Sequence, residues 1–396
     1  MRILVVMTHY PFPAFVGSAI VAYNSMKYLS KNHAIDLICL KPIKGDFKSP
    51  EFIKNLLMVP QNSKCKTLRN FFGLLFGVPT SVSAFSSRPM KEQVKDTIQT
   101  GNYDSILLFE MSAIQYCPAS SYSRLIVNIE DPLSIKLNRM RALSVWSKWQ
   151  KLKLFVLSIL TDRYERRFLP QLGKVLLLSV SDMNDMRKYA GYENLAYMPY
   201  GVDGRNAKDI LCYEDREKII VFSGNMYHPP NVDGLLSFLN KVFPLILQFY
   251  PSAVLWIVGS EPDSRIYDAA KKFDKEVVVT GRVNDISEYI QRASVSICPV
   301  RLRIGVQTKV LEALSLGTPV VTTSAGNSGI GGLNGIHFWV EDEPSQFAKR
   351  VIDLLNGHGW RNLSEEGVMF VREHFSWQNS ISLLEQHIES LVTSTQ

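Results

Sequence analysis

Two charged side chains lie one turn apart near the start of a predicted helix in the second half of the chain. The apolar spacing predicts a helix over 308–316, which carries Lys309 and Glu312. The loop before it contains Arg301 and Gly305. Cations beside the open N–H groups of a helix start suit a diphosphate. A carboxylate has two acceptor oxygens and suits a vicinal diol.

Each of these side chains also has a plainer interpretation. Glu312 fits an ordinary first-turn acid favoured by the helix dipole, and Lys309 fits a solvated first-turn lysine. Arg303 lies in the same loop and is as plausible an anion ligand as Arg301.

The elements that would position these residues are strands alternating with helices. In the second half, every predicted strand runs into small or turn residues at its C-terminal end, the edge where open parallel sheets bind ligands. The predicted strands are 3–7, 35–40, 105–109, 125–129 and 175–179 in the first half, and 218–223, 253–258, 277–280, 295–299 and 319–323 in the second.

A segment with one Pro and two Gly, Met198–Gly204, predicts a hinge between the halves. We therefore expect an α/β protein with two doubly wound, Rossmann-like domains that face each other across a cleft. The first domain spans 1–200 and the second 205–377. The last helix, 378–396, is expected to pack back on the first domain.

Composition supports a globular protein and divides the charge unevenly. The chain has 396 residues, with 26 basic and 14 acidic residues in 1–200 but 18 and 23 in the rest. Hydrophobic residues make up 46%, which excludes a disordered or fibrous protein. The five scattered cysteines form no C-x-x-C pair, so they predict free thiols. The apolar start is too short for a signal peptide, so we expect a cytoplasmic protein.

The run from Lys309 to Val321, Lys-Val-Leu-Glu-Ala-Leu-Ser-Leu-Gly-Thr-Pro-Val-Val, resembles the retaining glycosyltransferases of the GT-B fold, family four (group one). Further matches lie across the second half. They are Gly224 in Phe-Ser-Gly-Asn, Ile257-Val258-Gly259, Gly281-Arg282-Val283, Gly201-Val202-Asp203 and Phe375-Ser376-Trp377.

The resemblance implies transfer of a sugar from a nucleotide-sugar donor to a glycan or lipid-linked acceptor, in cell-surface polysaccharide or glycolipid biosynthesis. It implies that Glu312 binds the ribose hydroxyls of the donor, while Arg301 and Lys309 neutralise the leaving diphosphate without a metal. Gly305 and Thr308 belong to the same donor site. No cofactor is expected.

This chain departs from the family pattern at two places. Many relatives carry a Glu where this chain has Ile304, and an Arg where it has Asn225 after Gly224. The positive charge that neutralises the donor phosphates must then come from Arg301, Lys309 and Arg282. Gly224 is expected to let the backbone approach the donor, with a bare turn as the alternative.

Two further residues of the resemblance lie beside the expected position of the donor base. Arg282 and Val283 follow the strand predicted over 277–280. A surface position is the alternative for Arg282.

Candidates in the first half lie at strand ends. Gly17 is expected to pass near the donor phosphate, unless it only starts a helix capped by Ser18. Glu110 and the pair Glu130-Asp131 follow predicted strands and suit an acceptor-orienting or general-base role. The alternative is that these acids cap helices or are surface charges. His9 is read as a structural histidine.

The acidic run Glu341-Asp342-Glu343 is the one metal-like motif, and a helix N-terminal cap explains it better. We therefore expect no metal site.

Residues 136–167 hold nine basic residues and two acids, with tryptophans and aliphatic residues between them. This pattern predicts peripheral docking on an anionic membrane surface. A core helix with a solvated basic face is the alternative, and no nucleic-acid motif appears.

Two other functions remain open on the sequence alone. A sugar-nucleotide epimerase of the GT-B fold would need further acid and base residues around the donor sugar. A non-catalytic nucleotide-sugar-binding subunit would fit Ile304, Asn225 and the absence of a family histidine in the first domain.

Overall fold

The structure is a computed structural model, which describes residues 1–13, 17–42, 49–60, 66–204 and 210–395. The chain divides into two compact units. The first unit comprises Met1–Asn138, Leu152–Pro199 and Trp377–Gln396. The second comprises Arg139–Lys151 and Tyr200–Ser376.

The first unit is built on a seven-stranded parallel sheet with the order β3-β2-β1-β4-β5-β6-β7. The strands are β1 Arg2–Met7, β2 Ala34–Leu40, β3 Asn55–Val59, β4 Ser105–Leu108, β5 Leu125–Glu130, β6 Lys174–Leu177 and β7 Leu195–Tyr197. Each crossover between parallel neighbours needs a long connection, usually a helix.

The α-helices of this unit cover both faces of the sheet. They are α1 Gly17–Leu29, α2 Lys66–Leu75, α3 Thr80–Ser83, α4 Arg88–Thr100, α5 Leu133–Met140, α6 Lys148–Phe168, α7 Val180–Ala190 and α16 Trp377–Thr395. Two 3₁₀ helices, Met111–Tyr116 and Ala119–Arg124, connect β4 to β5. Both α5 and α6 extend into the segment 139–151, which clusters with the second unit.

The second unit has a six-stranded parallel sheet with the order β10-β9-β8-β11-β12-β13. The strands are β8 Glu217–Ser223, β9 Val254–Val258, β10 Val277–Gly281, β11 Ala293–Cys298, β12 Val320–Thr322 and β13 Trp339–Val340. The α-helices are α8 Pro229–Lys241, α9 Phe243–Phe249, α10 Ser264–Ala270, α11 Ile286–Arg292, α12 Thr308–Ser315, α13 Ser324–Asn327, α14 Pro344–Leu355 and α15 Trp360–His374.

The strand orders explain where ligands can bind. In each sheet the order reverses direction once, between β1 and β4 in the first unit and between β8 and β11 in the second. At this point the connections that follow two adjacent parallel strands go to opposite sides of the sheet. A crevice therefore opens at the carboxyl ends of these strands. The predicted α/β class with two Rossmann-like domains is confirmed.

The sequence prediction missed three strands, β3, β7 and β13, all of which lie at sheet edges. They are short or half-exposed, so they lack the continuous apolar run of a buried strand. The apolar spacing over 232–249 predicts one helix, but the segment forms two helices, because Pro244 follows the break at Val242.

The apolar segment Pro229–Phe249 has the length and mean hydropathy of a membrane span, with half of its residues buried. It comprises α8 and α9, and Phe238, Phe243 and Ile246 lie in the core of the second unit. These buried side chains identify it as a core segment.

Arg216 anchors the second unit from inside. Its guanidinium donates to the carbonyls of Leu211, Ala293, Leu316 and Gly317 at 3.0–3.2 Å. It also donates to the Thr318 hydroxyl at 2.6 Å. Burial lowers the pKa of Arg216 to about 10.

Replacing Arg216 by Met should lower the free energy of unfolding by about 3 kcal/mol or more, because several buried carbonyls lose their donor. Arg292→Met is the matched control, since Arg292 makes an exposed ion pair with Glu217 and should cost under about 1 kcal/mol. Urea unfolding of both variants measures the difference. Equal losses would contradict the anchoring role of Arg216.

Candidate functional site

The carboxyl ends of β8 and β11 bring together several of the residues that the sequence predicted for the donor. Gly224 directly follows β8, Arg301 follows β11, and α12 carries Lys309 and Glu312. A glycine follows β8 (Gly224) and β9 (Gly259), and a Cβ on Gly259 would lie 1.7 Å from the Gly224 carbonyl oxygen. This edge therefore requires bare backbone.

Lys309 is the buried cation of this edge. Its Nζ donates to Asn231 Oδ1 at 2.7 Å and lies 4.2 Å from the centre of the Phe222 ring. A Cβ on Gly224 would lie 3.1 Å from the same Nζ. Glycine at 224 therefore leaves room for the ammonium group, a stricter requirement than a bare turn.

Asn231 is a site residue whose role the sequence analysis missed. It accepts the Lys309 hydrogen bond, and its Nδ2 donates to the Asn225 carbonyl at 2.8 Å. Asn225 in turn accepts from the Tyr227 amide through Oδ1 at 2.8 Å. The two asparagines thus orient the lysine. The signal available in the sequence was their spacing after Gly224.

Burial sets opposite pKa shifts on the two charged residues of α12. It lowers the pKa of Lys309, partly offset by Cys298 and Glu312. Burial raises the pKa of Glu312, and the charge of Lys309 opposes that rise. Among the described residues, none donates a hydrogen bond to the Glu312 carboxylate. Both charges are therefore held at an energetic cost that a bound ligand of suitable charge would reduce.

Arg301 is held in place by a buried acid. Its Nε and Nη2 donate to Asp233 Oδ2 at 2.9 and 2.7 Å. Ser144 donates to the other oxygen of Asp233 at 2.7 Å. The Arg301 side chain remains 45% exposed, so one face of the guanidinium is open. Arg303, the alternative, offers its carbonyl to Arg139 Nη1 at 3.1 Å.

The loop before α12 is apolar where many relatives have an acid. Ile304 is 5% exposed, so it packs inward. Its carbonyl accepts from Gln307 Nε2 at 3.0 Å, which fixes the loop. Gly305 has a φ of 52° and Thr308 begins α12, so both present backbone near Lys309 in the chain.

Arg282 and Val283 follow β10, at the far edge of the sheet from β11. Arg282 is exposed and makes no hydrogen bond or ion pair with the described residues. The structure gives it no fixed partner.

The first unit has a second cluster of titratable groups at the carboxyl ends of β1, β4 and β5. His9 Nδ1 pairs with Glu110, which also accepts from Thr8 and from Ser112 Oγ at 3.1 Å. Burial disfavours charge on His9, but the hydrogen bond and charge of Glu110 raise its pKa. The buried Nε2 of His9 has no hydrogen-bond partner within the described residues.

Glu130 ends β5 in an uncommon backbone conformation. Its φ is 61°, and the β5–β6 pairing is irregular between Asn128 and Glu130. The carboxyl oxygen Oε1 is buried, with no hydrogen-bond partner in the described part of the chain. Burial raises the pKa of Glu130 to about 7, and the charge of Asp131 adds to the rise. Strain and an unpaired polar atom of this kind cluster at functional sites.

The other predicted acids of this cluster are paired. Asp131 Oδ2 lies 2.7 Å from Lys136 Nζ. Glu110 pairs with His9 and accepts hydrogen bonds from two hydroxyl groups. A Cβ on Gly17 would lie 4.0 Å from both carboxyl oxygens of Glu130. Gly17 is thus a close neighbour of Glu130 at the start of α1. A cavity of about 220 Å³ includes Ser18, Glu110, Glu130 and Lys136 in its lining.

The acidic run at 341–343 has structural partners. Asp342 accepts from the Ser324 amide at 2.9 Å, and Glu341 pairs with Arg350 at 2.9 Å. Glu343 occupies the N-cap position of α14, as expected, although its side chain makes no cap hydrogen bond. No group of three His, Cys, Asp or Glu suited to a metal occurs among the residues that the structure describes.

The basic stretch 136–167 is two helices joined by a turn. The part on α6 exposes large apolar side chains: Trp149 is 81%, Leu152 50% and Val156 45% exposed. The alternative, a core helix that exposes only a basic face, does not fit, because this exposed face carries large apolar side chains. The described cysteines, Cys39, Cys117, Cys212 and Cys298, are free, and Cys65 lies outside the described residues.

Comparison with known proteins places this architecture in a class. Sucrose-phosphate synthase from Thermosynechococcus elongatus matches with a TM-score of 0.68 at 14% identity, over all of both chains. HepE from Anabaena, solved in complex with UDP, matches with a TM-score of 0.67 at 13% identity, over 98% of this chain and 100% of that one. The fold is that of the GT-B glycosyltransferases.

A family model described as glycosyl transferases group 1 matches residues 217–357. This match lies within the second unit and covers about a third of the chain. A curated relative, an uncharacterized 44.6 kDa protein in the cps region of Klebsiella pneumoniae, is 21% identical over 94% of this chain and 96% of its own length.

Glu130→Gln should change how stability depends on pH. Because the folded pKa of Glu130 is about 7, the folded protein keeps a proton that the unfolded chain releases near pH 4.5. Stability therefore falls as the pH rises from about 4.5 to about 7. The Gln variant should lose this fall and be roughly 1–3 kcal/mol more stable than the wild type at pH 8.

Urea unfolding at pH 5, 6, 7 and 8 measures this dependence. Glu92→Gln is the control, because Glu92 is an exposed carboxylate paired with Arg88. An unchanged pH slope in Glu130→Gln would show that the raised pKa is not a property of this carboxyl group.

Proposed function

We propose that this protein is a retaining, metal-independent glycosyltransferase that moves a sugar from a nucleotide-sugar donor to a glycan or lipid-linked acceptor in polysaccharide biosynthesis. The observation that carries the proposal is the pair of Lys309 and Glu312 at the sheet switch point of the second unit, a buried cation beside a carboxylate that accepts no hydrogen bond from the described residues. HepE from Anabaena is also solved with UDP-glucose, which supports a UDP-sugar donor. The cps-region relative supports polysaccharide biosynthesis.

In the proposed donor site, Lys309 and Arg301 bind the diphosphate and Glu312 accepts from both ribose hydroxyls. The two cations that would neutralise the leaving diphosphate are positioned before the donor binds, since Asn231 orients Lys309 and Asp233 orients Arg301. Preorganised charge of this kind stabilises a leaving group without reorganisation during the reaction. Two cations can therefore supply the electrostatic role that a metal has elsewhere.

In the proposed acceptor site, Glu130 binds the attacking hydroxyl. Its buried Oε1 has no protein donor, and its pKa of about 7 makes it able to hold or release a proton near neutral pH. The His9–Glu110 pair adds a second oriented group at the neighbouring strand ends. We also propose that the transferred sugar retains its anomeric configuration, which the Lys309–Glu312 motif supports.

Glu312→Gln should weaken UDP binding about 10–100-fold, because charge-assisted hydrogen bonds to the ribose diol are lost. Calorimetry with UDP and with 2′-deoxy-UDP measures the effect. The wild type should prefer UDP, and the variant should lose most of that preference. Glu343→Gln, an exposed acid of the same unit, is the control and should bind like the wild type.

Equal UDP affinity in Glu312→Gln and the wild type would overturn the donor-site assignment. Turnover with the best nucleotide sugar, followed by NMR of the product anomer, tests the reaction itself. Activity should survive EDTA. Tight nucleotide-sugar binding without transfer to any glycan or lipid-linked acceptor would instead favour the non-catalytic subunit.

We also propose that the protein works in the cytoplasm as a peripheral protein on the inner face of the cell membrane. The supporting feature is the inverted polarity of α6, whose buried residues are Ser158, Thr161, Tyr164 and Glu165. Its large aliphatic and aromatic side chains are exposed instead, with lysines beside them. Interfacial helices bury such an apolar face in the headgroup region and place their lysines beside anionic lipids.

Replacing Lys148, Lys151 and Lys153 by Gln should weaken sedimentation with phosphatidylglycerol vesicles about tenfold or more, at ~1 kcal/mol per basic residue. UDP binding should be unchanged. The matched control replaces Lys271, Lys272 and Lys275, three lysines of the second unit. Equal sedimentation of both triple variants would contradict docking through α6.

A further inference from the structure

A cavity of about 940 Å³ opens within the first unit between α2 and the C-terminal half of α6. Pockets of about 300–1,000 Å³ hold drug-sized ligands, so this cavity has room for a substantial ligand. It is separate from the Glu130 cluster, since His9, Glu110 and Glu130 are absent from its lining. The 3₁₀ helix Met111–Tyr116 connects the two places along the chain.

The wall formed by α2 and the residue after it is apolar and open to solvent. Leu68 is 58%, Phe72 54% and Phe76 80% exposed, and all three line the cavity. Val82 and Phe168 contribute apolar surface to the same lining. Exposed apolar surface of this size costs free energy in water and marks binding sites.

The remaining lining carries positive charge and no negative charge. Four basic residues line the cavity, whereas its lining includes no Asp or Glu. Of these four, Lys91, Arg163 and Arg167 make no ion pair with any carboxylate in the described ranges. The Arg167 guanidinium lies 5.2 Å from the centre of the Phe168 ring, at the border of apolar and basic surface.

A buried hydroxyl completes the lining. Tyr164 is 7% exposed, and its hydroxyl is buried without a hydrogen-bond partner among the described residues. Burial raises the pKa of Tyr164, so the group remains a neutral donor at neutral pH. An orphaned donor beside unpaired cations favours an anionic acceptor as the missing partner.

We propose that this cavity binds a single-chain lipid phosphate, with its hydrocarbon chain against Phe72, Phe76 and Phe168 and its phosphate at Arg163 and Arg167. The chemistry of the lining requires both parts, because a chain alone would leave the cations unpaired and a phosphate alone would leave the phenylalanines in water. That the bound lipid is the carrier of the sugar acceptor rests on the proposed function. The binding of a lipid phosphate in this cavity does not depend on the proposed function.

The position of the cavity on α6 agrees with a lipid entering from a membrane surface. Val156, Ile159, Arg163 and Arg167 follow one another at intervals of three or four residues, so they share one face of the helix. The exposed apolar face of α6 therefore runs directly into the two arginines of the cavity.

The test uses the full chain and dodecyl phosphate below its micelle concentration, titrated by calorimetry. We expect saturable binding of one molecule per chain. Inorganic phosphate and dodecyl maltoside should each bind at least about tenfold more weakly, because each lacks one half of the recognised chemistry. Arg163→Gln should weaken dodecyl phosphate binding about tenfold.

Arg166→Gln is the matched control, since Arg166 is the same residue type on the same helix but pairs with Asp162 and does not line the cavity. It should leave dodecyl phosphate binding unchanged. Ala119→Trp should block the cavity from an exposed position and abolish binding, while thermal unfolding and UDP affinity stay as in the wild type.

Equal weakening by Arg163→Gln and Arg166→Gln, or unchanged binding in Ala119→Trp, would overturn the cavity assignment. So would dodecyl maltoside binding as tightly as dodecyl phosphate. The proposed function fails separately, through loss of sugar transfer or of UDP binding. Sugar transfer that is insensitive to Ala119→Trp, with no dodecyl phosphate binding, would remove the cavity and leave the transferase.

Discussion

The position of every candidate group follows from one constraint, that parallel strands can be joined only by long crossovers. A sheet built this way has all its strand-to-helix turns at one edge, and a single reversal of strand order opens a crevice there. In the second unit the reversal lies between β8 and β11, which end beside Gly224 and Arg301. In the first it lies between β1 and β4, which end beside His9 and Glu110.

Buried charge distinguishes the two crevices chemically. The second unit holds a buried ammonium group whose pKa is lowered by burial, so it favours an anionic ligand. The first holds a carboxyl group whose pKa is raised to about 7, so it favours a neutral hydroxyl with which it can share a proton. The same physical cause, removal from water, thus gives the two edges opposite preferences for charge, as the proposed donor and acceptor sites require.

The sequence predicted the fold class and the position of α12 well, because continuous apolar runs and helical spacing are local signals. It could not rank the acids of the first unit. Glu130 and Asp131 are adjacent in the chain, and only the tertiary placement of Lys136 decides that Asp131 is paired. The role of Asn231 was likewise missed, because its amide orients a charge that lies on another helix.

For the basic stretch 136–167, the sequence could not show which face of the helix is buried. Its composition predicted an amphipathic surface, but periodicity alone cannot say which face is turned inward. In the structure α6 buries Ser158, Thr161 and Glu165, with Glu165 accepting from the Ser134 amide at 3.1 Å. Because Ser134 donates to Glu165, the helix can turn its apolar face to the outside without leaving that buried carboxylate unpaired. Burial of that exposed apolar face against an apolar partner would be favourable, and the proposed docking on a membrane rests on this property.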